Sequence, residues 1–248
     1  MKNYLIAFAI ILMIFIFIFI LVKDEDYNTD VINEIEYIST INTSNEIEIS
    51  NPVFKSKSLN SNPYEISAEK GLQKGDDLEL LEINAKFQND EGEFFFAKSE
   101  SGFYSRENRK IELYGNVIIT DQFGGMTSAD KAIINIDAKI IQFIGKVISI
   151  KNDIEIRSNS SIADDVGKIV TYYDEVNIIR KVNREYEKAL GNLAIYDMVS
   201  EQISITGNVT LLKNNNIIMG HELIVDLINS NSIMKSNKNN QVSLKILD

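Results

Sequence analysis

The clearest pattern in the sequence is an alternation of apolar and polar residues that leads to a glycine and occurs three times. The three segments are Ile111–Val117, Ile141–Val147 and Ile203–Val209, and in each a valine follows two residues after the glycine. A period of two predicts a β-strand with one buried face. A glycine inside such a strand is typical of a bulge, a bend or a close approach of another backbone.

The similarity between the three segments extends upstream of the glycine. A small residue precedes each glycine by 13 positions, at Gly102, Ala132 and Ala194. A looser copy at Val170–Val176 has aspartate in the glycine position, and a partial copy begins at Gly220. We interpret the pattern as a repeat of two strands joined by a turn, in an array that degrades toward the C-terminus.

The N-terminus carries a different pattern. Tyr4–Val22 contains nineteen residues without a charge, which would span roughly 28 Å as a helix at about 1.5 Å per residue. The run is longer than that of a cleaved signal peptide and no small-residue cleavage site follows it, so we predict a transmembrane anchor over residues 1–22. Lys2 before the run and Asp24–Asp26 after it favour a cytoplasmic N-terminus. Residues 23–50 are acidic and predict a linker.

Composition narrows the class of protein. The net charge of −11 and the lack of a basic stripe argue against a nucleic-acid partner. The chain has no cysteine, so its stability has to come from strand pairing and core burial rather than from disulfides. Beyond residue 25 no long stretch has a period of 3.6, and Val, Ile, Tyr and Phe are frequent, so we predict an all-β domain.

Signals for catalysis or cofactor binding are weak. His221 is the only histidine, and there is no cysteine to share a metal with it. Asp164 and Asp165 are adjacent, so on a strand they would point to opposite faces and could not act as a pair. Neither a phosphate-binding loop nor a nucleophile elbow occurs. We predict that the protein is not an enzyme and has no catalytic residue, cofactor or metal.

Short motifs carry a resemblance to two related families. Residues 51–163 resemble the periplasmic domain of LptC, a component of the lipopolysaccharide export bridge, and residues 164–248 resemble the LptA (OstA-like) repeat. The motifs that resemble LptC are Asn51–Phe54, Pro63–Glu69, Gly102–Tyr104, Ile111–Val117 and Thr127–Asp130. Those that resemble LptA are Ala194–Asp197, Ile203–Val209 and Gly220–Asp226.

The resemblance implies a fold and a function. The fold would be an open, twisted, antiparallel β-jelly roll after a single N-terminal transmembrane helix. The protein would be a single-pass inner-membrane protein with its N-terminus in the cytoplasm and its C-terminal domain in the periplasm. An apolar groove in the roll would hold the lipid A acyl chains of lipopolysaccharide. The implied partners are inner-membrane ABC transporter permeases of the Lpt type, and an LptA-like bridge protein or a second copy of the chain.

The alternation predicts which side chains would line such a groove. The strands at 64–68 and 94–98 are the least regular, and a shift of one residue there would invert their faces. The candidates are Ile66, Ala68, Phe94, Phe96, Ile111, Leu113, Val117, Ile119, Ile141, Phe143, Val147, Ile203, Ile205, Val209 and Leu211.

Two other hypotheses about the function of these residues stay open. If two sheets closed tightly, the apolar set would be the core of a membrane-anchored structural scaffold. A β-solenoid enzyme acting on envelope polysaccharide is a further alternative, although it would need a carboxylate cluster that the sequence lacks.

An open roll would also leave unpaired backbone at its ends for strand addition. We expect the Glu46–Ile49 end to face membrane partners and the Ser236–Leu247 end to meet the next subunit.

Overall fold

The computed structural model describes residues 39–41, 46–56, 63–74, 77–89, 91–164, 168–182, 185–237 and 241–246. The transmembrane anchor predicted for residues 1–22 and most of the predicted linker lie outside these ranges. Among the described residues, no helix is long and apolar enough to cross a membrane.

The described residues form strands, turns and bends. There are seventeen strands: β1 (Ser39–Ile41), β2 (Glu46–Ser50), β3 (Val53–Ser56), β4 (Tyr64–Ser67), β5 (Lys70–Lys74), β6 (Asp77–Gln88), β7 (Phe94–Ser105), β8 (Lys110–Asp121), β9 (Met126–Asn135), β10 (Ile140–Lys151), β11 (Ile154–Asp164), β12 (Ile169–Val182), β13 (Glu185–Asp197), β14 (Gln202–Lys213), β15 (Asn216–Asp226), β16 (Asn231–Lys235) and β17 (Ser243–Ile246).

All seventeen strands belong to one antiparallel sheet. From β6 to β15 each strand pairs with the next one in the chain. At the N-terminal end, β5 pairs with the first half of β6 and β4 with its second half. At the C-terminal end, β16 and β17 likewise pair with the two halves of β15. Both ends of the sheet therefore divide into two short branches.

A β-bulge interrupts each glycine strand, as the sequence predicted. In β8, Tyr114 pairs with Ser101 and Ile118 with Lys98, so β8 has one residue more than β7 over this stretch. The extra residue is accommodated by two successive residues with positive φ, Gly115 (73°) and Asn116 (44°). The same pair of left-handed residues occurs at Gly145–Lys146, Asp174–Glu175 and Gly207–Asn208.

The bulges lie at the same level across the sheet. A register shift occurs in each of the eight successive pairings from β7–β8 to β14–β15. Because a bulge bends its strand and increases the local twist, a continuous row of bulges folds the whole sheet along one line. At the N-terminal end the corner at Asn51–Pro52, where β2 gives way to β3, continues this line.

Contacts between distant strands show that the sheet is folded into two layers. Arg180 Nη2 on β12 lies 3.4 Å from Ser232 Oγ on β16, although four strand spacings would separate these strands by about 19 Å in a flat sheet. The first layer contains the strand halves before the bulges in β8, β10, β12 and β14, together with the halves that pair with them. The second layer contains the halves after the bulges and their partners.

Burial follows the inner faces of the two layers. On β8, Ile111, Leu113, Val117 and Ile119 are at most 5% exposed. The four-residue step from Leu113 to Val117 spans the bulge and keeps the inward phase. The prediction of an all-β, jelly-roll-like antiparallel sheet is therefore confirmed for the described residues.

The sheet continues from β11 to β12 by regular strand pairing. The division of the chain into an LptC-like part, residues 51–163, and an LptA-like part, residues 164–248, stays a prediction.

We predict that the bulge at Gly207 depends on its glycine. Its φ of 81° is left-handed, and an added Cβ would lie 2.9 Å from the Asn192 Cβ atom. Gly207→Ala should therefore lower the free energy of unfolding by about 1–2 kcal/mol. Asp174→Gly, at the bulge that lacks glycine, is the matched control and should leave stability unchanged or raise it. Urea unfolding of both variants measures this; equal losses would contradict the prediction.

Candidate functional site

Thirteen of the fifteen predicted groove residues lie on the inner faces of the layers. Each of these thirteen is at most 7% exposed. They are Ile66, Ala68, Ile111, Leu113, Val117, Ile119, Ile141, Phe143, Val147, Ile203, Ile205, Val209 and Leu211. The structure thus brings the inward residues of three separate glycine strands, together with Ile66 and Ala68, into one apolar surface.

The other two predictions, Phe94 and Phe96, have the wrong face. Phe96 is 41% exposed, and the Lys86 ammonium lies over the Phe94 ring, 4.0 Å from its centroid. The inward residues of β7 are instead Phe95 and Ala97. Three consecutive phenylalanines give no alternation from which the phase could be read, and Ala97, which is 1% exposed, sets it.

Between the layers lies a cavity of about 350 Å³, which we call the interlayer cavity. The second layer contributes Phe95, Ile119, Thr127, Ser149 and Ile156 to its wall, and the first layer contributes Ile141, Phe143, Ala163, Val170, Tyr172 and Tyr196. Of the predicted groove residues, only Ile119, Ile141 and Phe143 line it. The remainder of the wall was not predicted, although Val170 and Tyr172 lie at alternate positions of the looser repeat.

Away from the charged residues at its opening, the polar side chains of the cavity wall are uncharged hydroxyl groups. Burial raises the pKa of the Tyr172 hydroxyl, and a hydrogen bond with Ser149 opposes this shift only in part. Burial also raises the pKa of Tyr196. The Thr127 and Ser149 hydroxyls lie 2.9 Å apart and hydrogen-bond to each other. An apolar chain in the cavity would therefore meet no ionised group from these four residues at neutral pH.

Charged side chains collect at the opening of the cavity, which we call the mouth. Lys168 Nζ lies 2.5 Å from Glu91 Oε1. Lys151 Nζ lies 3.6 Å from Asp121 Oδ2 and 3.7 Å from Met198 Sδ. The exposed apolar side chains of Phe123 and Val199 also border the mouth. The cavity thus has an apolar interior and an opening that carries both signs of charge.

On the C-terminal side of the cavity, the inner face contains a buried ion cluster. Arg180 Nη2 lies 2.6 Å from Glu187 Oε2, and Lys213 Nζ lies 2.5 Å from Glu187 Oε1. The Arg180 and Glu187 side chains are 8% and 7% exposed. Burial alone would raise the pKa of Glu187, but hydrogen bonds from Lys213 and Arg180 outweigh it and hold the pKa below its ordinary value. Arg180 also reaches Ser232 in the opposite layer.

Metal-binding side chains do not converge in the described part of the chain: no three His, Cys, Asp or Glu residues lie together there. The candidate site consists of the apolar cavity wall, the charged mouth and the buried ion cluster.

Part of the chain is similar to a known protein family. Residues 126–231 match the model of the family described as LptA/(LptD N-terminal domain) LPS transport protein. No curated protein sequence matches the chain.

One similar solved structure is LptH, the LptA homologous periplasmic component of the conserved lipopolysaccharide transport device from Pseudomonas aeruginosa. The match has 14% sequence identity and a TM-score of 0.46, and covers 50% of this chain and 95% of that chain.

We predict that the ion cluster stabilises the fold only as a complete unit. Arg180→Met should lower the free energy of unfolding by about 3 kcal/mol, because Glu187 stays buried and loses one of its two cationic partners. The double variant Arg180→Met/Glu187→Leu should recover most of this loss, since Lys213 can reach water. Chemical denaturation of the single and double variants gives the coupling free energy.

The ion cluster also has a defined pH dependence. Because the folded pKa of Glu187 is lowered, its contribution to the free energy of unfolding is complete above the ordinary carboxyl range and is lost as the pH falls through the folded pKa.

For the double variant at neutral pH, losses of stability that equal the sum of the single-variant losses would contradict the coupling between Arg180 and Glu187.

Over residues 126–231, the family match confirms the resemblance to lipopolysaccharide transport proteins that the motifs predicted: this segment is similar to the LptA/LptD N-terminal domain.

Proposed function

We propose that this protein binds lipopolysaccharide through its lipid A acyl chains and passes it from an inner-membrane ABC exporter toward the outer membrane. The observation that carries the proposal is the interlayer cavity, an apolar space with an opening to solvent. It lies largely within the segment that matches a family of LPS transport proteins.

The cavity has the size and chemistry for an acyl chain. Its volume of about 350 Å³ falls within the range of about 300–1,000 Å³ that is usual for small-ligand sites. Burying an acyl chain of about twelve methylenes contributes on the order of 10 kcal/mol, at about 0.8 kcal/mol each. Binding of this kind needs no catalytic residue. Extraction of the lipid from a membrane would require energy from an ATP-driven partner, for which permeases of the Lpt type are the candidates.

The apolar inner face supports a path beyond the cavity. Ile203, Ile205 and Val209 on β14 continue the surface formed by Ile141, Phe143 and Val147 on β10. These β14 side chains are at most 1% exposed, so the layers have to separate there before an acyl chain can pass. The path is therefore proposed as one that cargo opens.

The ends of the sheet support assembly with other rolls. Within the described residues, β1, β3, β16 and β17 each pair along one side only. On β17, Leu244 and Ile246 are 62% and 67% exposed, which suits strand addition by an LptA-like protein or a second copy. At the other end, β1 pairs with β2, so the sheet extends one strand beyond Glu46–Ile49, at the end that we propose faces membrane partners. The inner-membrane anchor and the periplasmic location of the roll belong to the same proposal.

One observation favours a structural scaffold as the second candidate. Apart from the three residues that line the cavity, the thirteen inward groove side chains pack against one another and are almost fully buried. A closed core of this kind needs no cargo. The two candidates differ in whether lipid reaches the inner face in cells.

Photocrosslinking separates the two candidates. A photoreactive phenylalanine analogue at Phe143, in the cavity wall, and at Ile205, on the proposed path, should give lipopolysaccharide adducts in cells. The neighbours Gln142 and Ser204 alternate with these residues on the same strands and serve as outward controls, which should give none. Adducts at no position in a folded protein would leave the scaffold as the better explanation. Adducts at Phe143 alone would confine the cargo to the cavity and overturn the path.

A further inference from the structure

The ion pair between Lys168 and Glu91 bridges the two layers at the mouth. Lys168 precedes β12 in the first layer, and Glu91 precedes β7 in the second. Five strand spacings separate β7 from β12, which would be about 24 Å in a flat sheet. The two charged atoms are nevertheless 2.5 Å apart. Both residues line the interlayer cavity, so an amphiphile held there would lie close to this pair.

The pair contributes little to stability and can therefore exchange. The side chains of Lys168 and Glu91 are 37% and 43% exposed, and ion pairs at such exposure typically contribute about 0–1 kcal/mol. The Met198 backbone N–H donates a 2.9 Å hydrogen bond to the Lys168 carbonyl, so the backbone of Lys168 is held at the mouth independently of Glu91. From that backbone the Lys168 side chain can meet another anion that replaces the Glu91 carboxylate.

A second lysine lines the same cavity. Lys151 Nζ contacts Met198 Sδ at 3.7 Å, and the Met198 backbone N–H is bonded to the Lys168 carbonyl, so both lysines contact Met198. Asp121, the acidic neighbour of Lys151, has its Oδ1 occupied by the N–H groups of Phe123 and Gly125, at 2.8 and 2.7 Å. The Glu93 carboxylate accepts a 2.9 Å hydrogen bond from Asn89. Glu91 is therefore the carboxylate at the mouth that an incoming anion would have to displace.

We propose that Lys168, together with Lys151 at the same mouth, binds the phosphate headgroup of an amphiphile whose acyl chain fills the interlayer cavity, and that this headgroup displaces Glu91 from Lys168. An acyl chain in the cavity leaves its headgroup at the mouth, where ammonium groups pair well with phosphate oxygens. A phosphate monoester carries more charge than one carboxylate, so it competes for Lys168 once the chain has anchored it. The inference rests on the proposed function and names the headgroup chemistry of the same site.

The chain has no tryptophan, so Phe95→Trp in the cavity wall supplies a single fluorescent reporter. The full chain, kept soluble in an amphipathic polymer, is titrated with dodecyl phosphate, with the uncharged dodecyl maltoside and with inorganic phosphate. Glu91→Gln and Lys168→Gln are each compared with the parent chain. Lys146→Gln is the matched control, since Lys146 pairs with Asp130 at an exposed site on the outer face.

We expect Lys168→Gln to weaken dodecyl phosphate binding about five-fold, the effect of one exposed ion pair, and to leave dodecyl maltoside unchanged. Glu91→Gln should tighten dodecyl phosphate relative to dodecyl maltoside, and Lys146→Gln should change neither. If Lys168→Gln leaves the affinity for dodecyl phosphate unchanged, or weakens the binding of both amphiphiles equally, the headgroup assignment is overturned while acyl binding stays intact. If inorganic phosphate displaces dodecyl phosphate at equal concentration, the lysines bind free phosphate rather than the headgroup of an amphiphile. If neither amphiphile reaches the reporter, the proposed function fails as well.

Discussion

The two-layer architecture depends on the alignment of the β-bulges. A single bulge would only kink one hairpin, but register shifts in eight successive pairings place the kinks on one line. The sheet then folds there, and each strand contributes one half to each layer. The corner at Asn51–Pro52 and the separate strands β16 and β17 have the same effect at the ends. The inner face, the cavity and the divided edges are all consequences of this alignment.

The local part of this structure could be predicted from the sequence. Alternation fixed the inward phase of β8, β10 and β14, and the glycines marked the bulges, because both depend on neighbours in the chain. Phase prediction failed at Phe94–Phe96, where three apolar residues are consecutive and the pairing of Ala97 with Ala85 on β6 decides the face. Asp174 also adopts the left-handed conformation without glycine, so a residue-type rule alone would have missed that bulge.

Contacts between the layers could not be predicted in the same way. Lys168 meets Glu91, and Lys151 meets Met198, because the bend and twist of the sheet bring particular strand ends over one another. No periodicity records those angles. The cavity wall has the same origin: Val170, Tyr172 and Tyr196 are ordinary inward positions, and only the separation of the layers at that point makes them a lining. The candidate site is thus a property of the folded sheet rather than of a motif.

The inner face also changes character along the sheet, and this bears on how cargo could move. In the cavity an acyl chain fills existing space, so burial of its methylenes is gained almost in full. On the C-terminal side it would have to replace close contacts among Ile203, Ile205 and Val209, which are themselves apolar, and would pass the Arg180–Glu187 pair that links to Ser232. Exchanging one apolar contact for another yields little free energy, and disturbing a buried ion pair is unfavourable. Under the proposed function, therefore, apolar burial explains why lipid enters the roll, whereas movement toward β16 and β17 requires either continued delivery of lipid from behind or a partner that holds the layers apart.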